Sequence, residues 1–130
     1  MPVLISETWC VVKISTAPAR GAVIVRMCFP YIAVEPLQPV IRELLARINP
    51  GLTLGAFHLD EEGEIFFRAT HLVKNSELTR EIADDLLGAA VILSVKAHSA
   101  FTLCLYAGAT AEDALLMAEV ADHGILGSSD

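Results

Sequence analysis

Positive charge is what this sequence has least of. Nine Lys and Arg stand against sixteen Asp and Glu, for a net charge of −7 and a pI near 5.0. A nucleic-acid surface is basic, so the balance argues against that partner class. Cysteine is also scarce. Cys10, Cys28 and Cys104 are odd in number, widely spaced and set in apolar neighbourhoods. They read as buried free thiols in a reducing compartment, not as a disulfide framework. No uninterrupted apolar run reaches the roughly 18 residues of a membrane helix. The richest, Leu86 to Val95, stops at Lys96. Met1 to Ile5 lacks the basic and long apolar regions of a signal peptide, so the expected location is the cytoplasm, with no membrane partner. Repeats, low-complexity tracts and linkers are missing as well, and 130 residues suit one domain with a real core.

Reactive constellations are equally thin. Asp60, Glu61, Glu62 and Glu64 lack the spacing of a calcium loop, and a charged hairpin turn explains them. His58, His71, His98 and His123 share no ligand spacing, so no metal is expected. Cys28 has no signature of a thiol enzyme around it. Asp84 and Asp85 are adjacent, so on a helix they point about 100° apart and cannot work as a pair. Gly51 and Gly55 lack the lysine and the following helix of a phosphate loop. The sequence therefore points to no catalytic residues and no cofactor.

What is abundant is apolar residue: 54% of the chain, with a mean hydropathy of +0.54. Either much of it is buried or some of it meets a partner. Trp9 to Thr16 and Ala22 to Phe29 read as strands flanking a turn at Ala17–Gly21, the second stopped by Pro30. They should pair antiparallel. Val34, Leu37, Val40, Ile41, Leu44, Leu45 and Ile48 then recur at helical spacing, which predicts a helix over Glu35–Arg47. Pro36 and Pro39 fall in its first turn, and Asn49-Pro50-Gly51 ends it.

Leu54 to Thr70 predicts a hairpin. A three-residue loop, Glu61 to Gly63, puts Gly63 in the left-handed region. That register pairs Leu59 with Ile65, Phe57 with Phe67 and Gly55 with Ala69. Phe57, Leu59, Ile65 and Phe67 form a core face, while Ala56, His58, Phe66, Arg68 and Thr70 take the other. Asn75 or Ser76 should cap the next helix. From Leu78 the apolar spacing stays helical to Tyr106, about 45 Å. The stretch 89–107 also alternates like two strands, and Gly88 could end a shorter helix. Local pattern leaves both readings open.

Three quoted pieces carry a resemblance. "INPGLTLGAFHLDEEGEIFFRATHLV" (Ile48 to Val73) has a helix ending in Asn followed by a Gly–aromatic hairpin. "SELTREIADDLL" (Ser76 to Leu87) is a Leu–Thr–acid helix start. "YAGATAEDALLMAEV" (Tyr106 to Val120) is a Gly-containing break followed by an acid–Ala–Leu helix. Together, over roughly Trp9 to Glu119, they resemble the YbjN-like family of bacterial proteins, sensory transduction regulators. The resemblance implies an α+β fold like that of type III secretion chaperones: an antiparallel sheet packed against helices, order β-β-α-β-β-α-α, in a single domain that is often dimeric. It favours one long helix over the two-strand alternative. It also implies that Gly108 releases the chain from that helix. Thr110 then caps a short one whose Ala114, Leu115, Met117 and Ala118 pack back. The family usually begins with a helix, and Met1 to Thr8 are too few for one. What that helix covers elsewhere is then bare here or covered by a second subunit.

Strand alternation places Cys10, Val12, Ile14, Val23, Val25 and Met27 on the core face. The opposite face receives Trp9, Val11, Lys13, Ile24, Arg26, Phe66 and Arg68. Three of the nine basic residues then share one face with two large aromatics. Either the amino-terminal residues or a dimer mate cover it, or it docks an apolar, acidic peptide. The expected function is a non-enzymatic protein-binding module, chaperone-like or regulatory, working as a homodimer. A self-assembling structural subunit and a small enzyme are the alternatives.

Overall fold

The structure is a computed structural model. It describes residues 2–5, 8–17, 21–52, 54–72 and 79–126. Five strands form one antiparallel sheet: β1 (Pro2–Ile5), β2 (Thr8–Ala17), β3 (Ala22–Ile32), β4 (Ala56–Leu59) and β5 (Glu64–Leu72). Their spatial order is β1-β2-β3-β5-β4. Between β3 and β4 a 3₁₀ turn, Glu35–Leu37, leads into α1 (Gln38–Ile48); α2 (Arg80–Tyr106) and α3 (Ala111–Leu126) follow β5. The fold is α+β in the expected order, with the amino-terminal strand β1 added. Residues 2–5 pair with β2 in the plane of the sheet, Pro2 opposite Val11 and Ile5 opposite Thr8, so they extend it and do not lie across its face.

The hairpin of β4 and β5 keeps the register that its turn dictates. Leu59 faces Ile65 and Phe57 faces Phe67. Gly63 has φ +86, and its N–H reaches the Asp60 carbonyl at 3.1 Å. Asp60 Oδ1 accepts from the N–H groups of Glu62 and Glu64, so this carboxylate serves the turn. The ladder starts at Ala56 opposite Arg68, one pair short of the expected Gly55–Ala69.

One face of the sheet carries the core. Cys10, Val12, Val23, Val25, Met27, Phe57, Ile65 and Phe67 are buried on it. The helices cover them, with α2 across β3 and β5 and α1 against β4. Phe101 of α2 stands edge-on to Phe29 and Phe57, with ring centroids 5.5 and 5.3 Å apart. Tyr31 adds to this aromatic cluster and approaches His98 Nδ1 at 3.4 Å.

Several expectations change. The second strand does not stop at Pro30 but runs to Ile32. Pro30 lies beyond the last β2 partner pair, Val11 with Cys28, and inside the irregular stretch between Cys28 and Ile32. A missing N–H is tolerated there. Ile14 has the core-face register but is 40% exposed, because Lys13 to Thr16 are exposed on both faces beyond the helical layer. Residues 89–106 are helix, as the family resemblance implied, and Gly88 sits inside that helix. The cap of α2 is Thr79, whose hydroxyl accepts from the Ile82 N–H at 3.2 Å. Asn75 and Ser76 lie outside the described residues, as does most of the Ala17–Gly21 turn. Gly108 does leave α2 with φ +69, and Thr110 caps α3 through the Asp113 N–H at 3.1 Å. Ala111, Ala114 and Ala118 are the buried stripe of α3, which turns Met117 outward.

Candidate functional site

Among the described residues no helix packs on the second face of the sheet. On it the register sets Lys13 opposite Arg26 and Arg26 opposite Arg68. Three cations thus form a row across β2, β3 and β5, about 10 Å long at the usual strand spacing. Like charges directly opposite one another are destabilising. Among the described residues no carboxylate lies within 4.0 Å of any of them; the two ion pairs, Arg47–Glu43 and Arg80–Asp84, are on helices. Lys13 and Arg68 are exposed and Arg26 is half-buried. The Nε of Arg26 is buried with no hydrogen-bond partner.

The next row runs Val11, Cys28, Phe66, His58 over four strands. Phe66 is sandwiched. The Arg26 guanidinium lies 3.7 Å from its ring centroid, and the His58 ring stacks at 5.1 Å, tilted by 21°. Cation–π contact holds Arg26 in place, and both faces of the phenyl ring are occupied. Burial, and then the charges of Arg68 and Arg26, push the His58 pKa below its usual 6.5.

Of the sequence-predicted residues, Val11, Lys13, Ile24, Arg26, Phe66 and Arg68 share this face. Val11 is 46% exposed; Ile24 and Phe66 are half-buried. Trp9 is placed in β2 opposite Leu4, and its side chain lies outside the described part. Sequence reasoning put His58 on this face but missed its stack on Phe66. It also missed a hollow of about 210 Å³ beside the row, lined by Val11, Lys13, Cys28, Phe29, Pro30 and Glu64. The Pro30 irregularity that shapes this hollow depends on where β2 and β5 stop pairing, which no local pattern encodes.

Among the described residues the candidate catalytic groups named above do not converge. Cys28 and His58 flank Phe66 from strands two apart, about 10 Å, too far for a thiol–imidazole pair. His71 belongs to the opposite face, paired with Val23. Burial pushes the Cys10 thiol up to about 11 and raises Cys104 as well, the reverse of an activated nucleophile. Cys28 is half-buried where full burial was expected. Among the described residues no three His, Cys, Asp or Glu side chains gather as a metal would require.

Residues 9–102, well over half of the chain, match the YbjN family, described as "putative bacterial sensory transduction regulator". The chain belongs to this family. No curated protein and no solved structure matches it. Within the YbjN region the Asn that ends α1 has a structural reason. Asn49 Nδ2 donates to the Phe57 carbonyl at 3.0 Å, and the Phe57 N–H donates to Asn49 Oδ1 at 2.8 Å. The side chain closes the outer edge of β4, where an open strand would invite pairing.

Proposed function

We propose that this YbjN-family protein is a non-enzymatic regulator that docks an acidic, partly apolar peptide segment of a protein partner on the open sheet face. The observation that carries the reading is the Lys13–Arg26–Arg68 row on a chain of net charge −7, with no carboxylate paired to it among the described residues. A partner carboxylate would relieve the repulsion within the row. An apolar side chain of the same segment fits the hollow beside Lys13. A second copy on this face is the weaker occupant. A two-fold interface brings a patch against itself, which would set cation row against cation row.

Peptides selected from a random library by the wild-type chain provide the test. Lys13→Glu with Arg68→Glu changes exposed side chains only, so folding should survive, as circular dichroism and thermal melts would verify. The expected peptides combine Asp or Glu with a large apolar residue. They should bind the double variant on the order of tenfold or more weakly, and bind the wild type more weakly as salt rises. Selected peptides without acidic bias, or equal binding to both proteins, would overturn the reading. Sedimentation of both proteins covers the self-association outcome: a dimer lost in the double variant would make the face a contact between copies.

A further inference from the structure

On the other side of the molecule, apolar surface remains after the core is complete. By length and composition α2 could cross a membrane, yet only 39% of its most apolar 18-residue stretch is buried. Part of the remainder lines a cavity of about 150 Å³ walled by Leu52, Phe57, Leu93, Ala97 and Leu115. A second hollow of about 300 Å³ shares Leu52 and Leu93 and continues past Ala89 and Ile92. From Ala89 to Ala100 these lining positions recur every three or four residues along one side of α2, about 16 Å at the helical rise. Ile92 is 56% exposed on that stripe.

One charged side chain lines the cavity. Lys96 is half-buried, and among the described residues no carboxylate lies within 4.0 Å of it. A half-open hollow lined by apolar side chains can take a hydrocarbon chain. The cation beside it selects a ligand whose apolar tail ends in a negative charge. From this pairing we infer that the groove between α2, α3 and the side chains of Leu52 and Leu54 binds a free fatty carboxylate. Its chain lies along Leu93 and Ile92 and its carboxylate pairs with Lys96. The inference is independent of partner docking on the sheet face, since the two sites share no residue.

Laurate is the probe, titrated into the full chain by calorimetry, with amide shifts followed by NMR. Saturable binding of one laurate per chain is expected, with the largest shifts at Leu52, Leu93, Lys96 and Leu115. Lys96→Met keeps the aliphatic stem and removes the charge. It should weaken laurate about tenfold and leave the affinity for the uncharged alcohol dodecanol unchanged. Ala97→Leu should fill the cavity and abolish binding. If that variant does not fold, the shift map and Lys96→Met still decide the matter. No saturable binding to the wild type, shifts confined to the sheet face, or equal laurate affinity in Lys96→Met would each overturn the inference.

Discussion

Asn49 is a single polar side chain that does the work of a neighbouring strand. Its amide meets both backbone groups on the outward edge of Phe57, and Phe57 itself is 2% exposed in the core. Asn49→Ala would leave a donor and an acceptor unpaired at a part-buried edge. The expected cost is about 1–3 kcal/mol, measured by urea unfolding. A change within a few tenths of a kcal/mol would mean that water replaces the amide. At this scale the sequence was legible in part. The Asn stood out in the helix-ending motif, but its partner is eight residues away on another element. Gly63 was fully legible, because the turn requires its positive φ locally. Phe66 was placed on the correct face by alternation. Its sandwich between Arg26 and His58 was not readable, since three strands must align before the rings meet.

Among the elements, α2 carries the largest gap between pattern and outcome. Its residues 89–106 alternate nearly as well as they follow helical spacing. What decides is the sheet beneath. Small residues at Ala90, Ser94, Ala97 and Ala100 are buried and let the helix approach β3 and β5, so that Phe101 reaches the aromatic cluster. Ser94 Oγ even lies 2.9 Å from Met27 Sδ across that contact. Gly88 is a weak point in this helix, and an added Cβ would meet nothing within 4 Å. Gly88→Ala should therefore stabilise the protein by about 0.5–1 kcal/mol, read as a higher thermal midpoint. An unchanged or lowered midpoint would show that the added methyl meets a constraint other than helix propensity.

For the molecule as a whole, the layering separates two chemistries. The open sheet face gathers cations on an acidic chain, and the helical side keeps apolar grooves. Between them, buried histidine ties stability to pH. Burial lowers the His98 pKa below 6.5. His58 is lowered by burial and then by Arg68 and Arg26. A lowered pKa means that the unfolded chain takes up the proton first. Stability is then complete above about pH 6.5 and is lost as pH falls toward the folded-state values. Between about pH 7.5 and 5.5 the wild type should lose more stability than His98→Gln, compared by urea midpoints. Equal losses in the two proteins would remove His98 from the account.

Local rules in the sequence determined the strand alternation, the hairpin register, the α1 stripe, the exit at Gly108 and the Thr110 cap. Each follows from periodicity or from a backbone angle within a few residues. The α+β order followed once the family resemblance chose the long helix over the two-strand reading. Tertiary structure alone decided that residues 2–5 form an edge strand and that β3 continues through Pro30. It also aligned Lys13, Arg26 and Arg68 in one row and left Lys96 beside an apolar cavity. These outcomes depend on which strands end up adjacent and where the helices stop covering them. Distances of that kind are set by contacts between residues far apart in the chain, and no short window of sequence contains them.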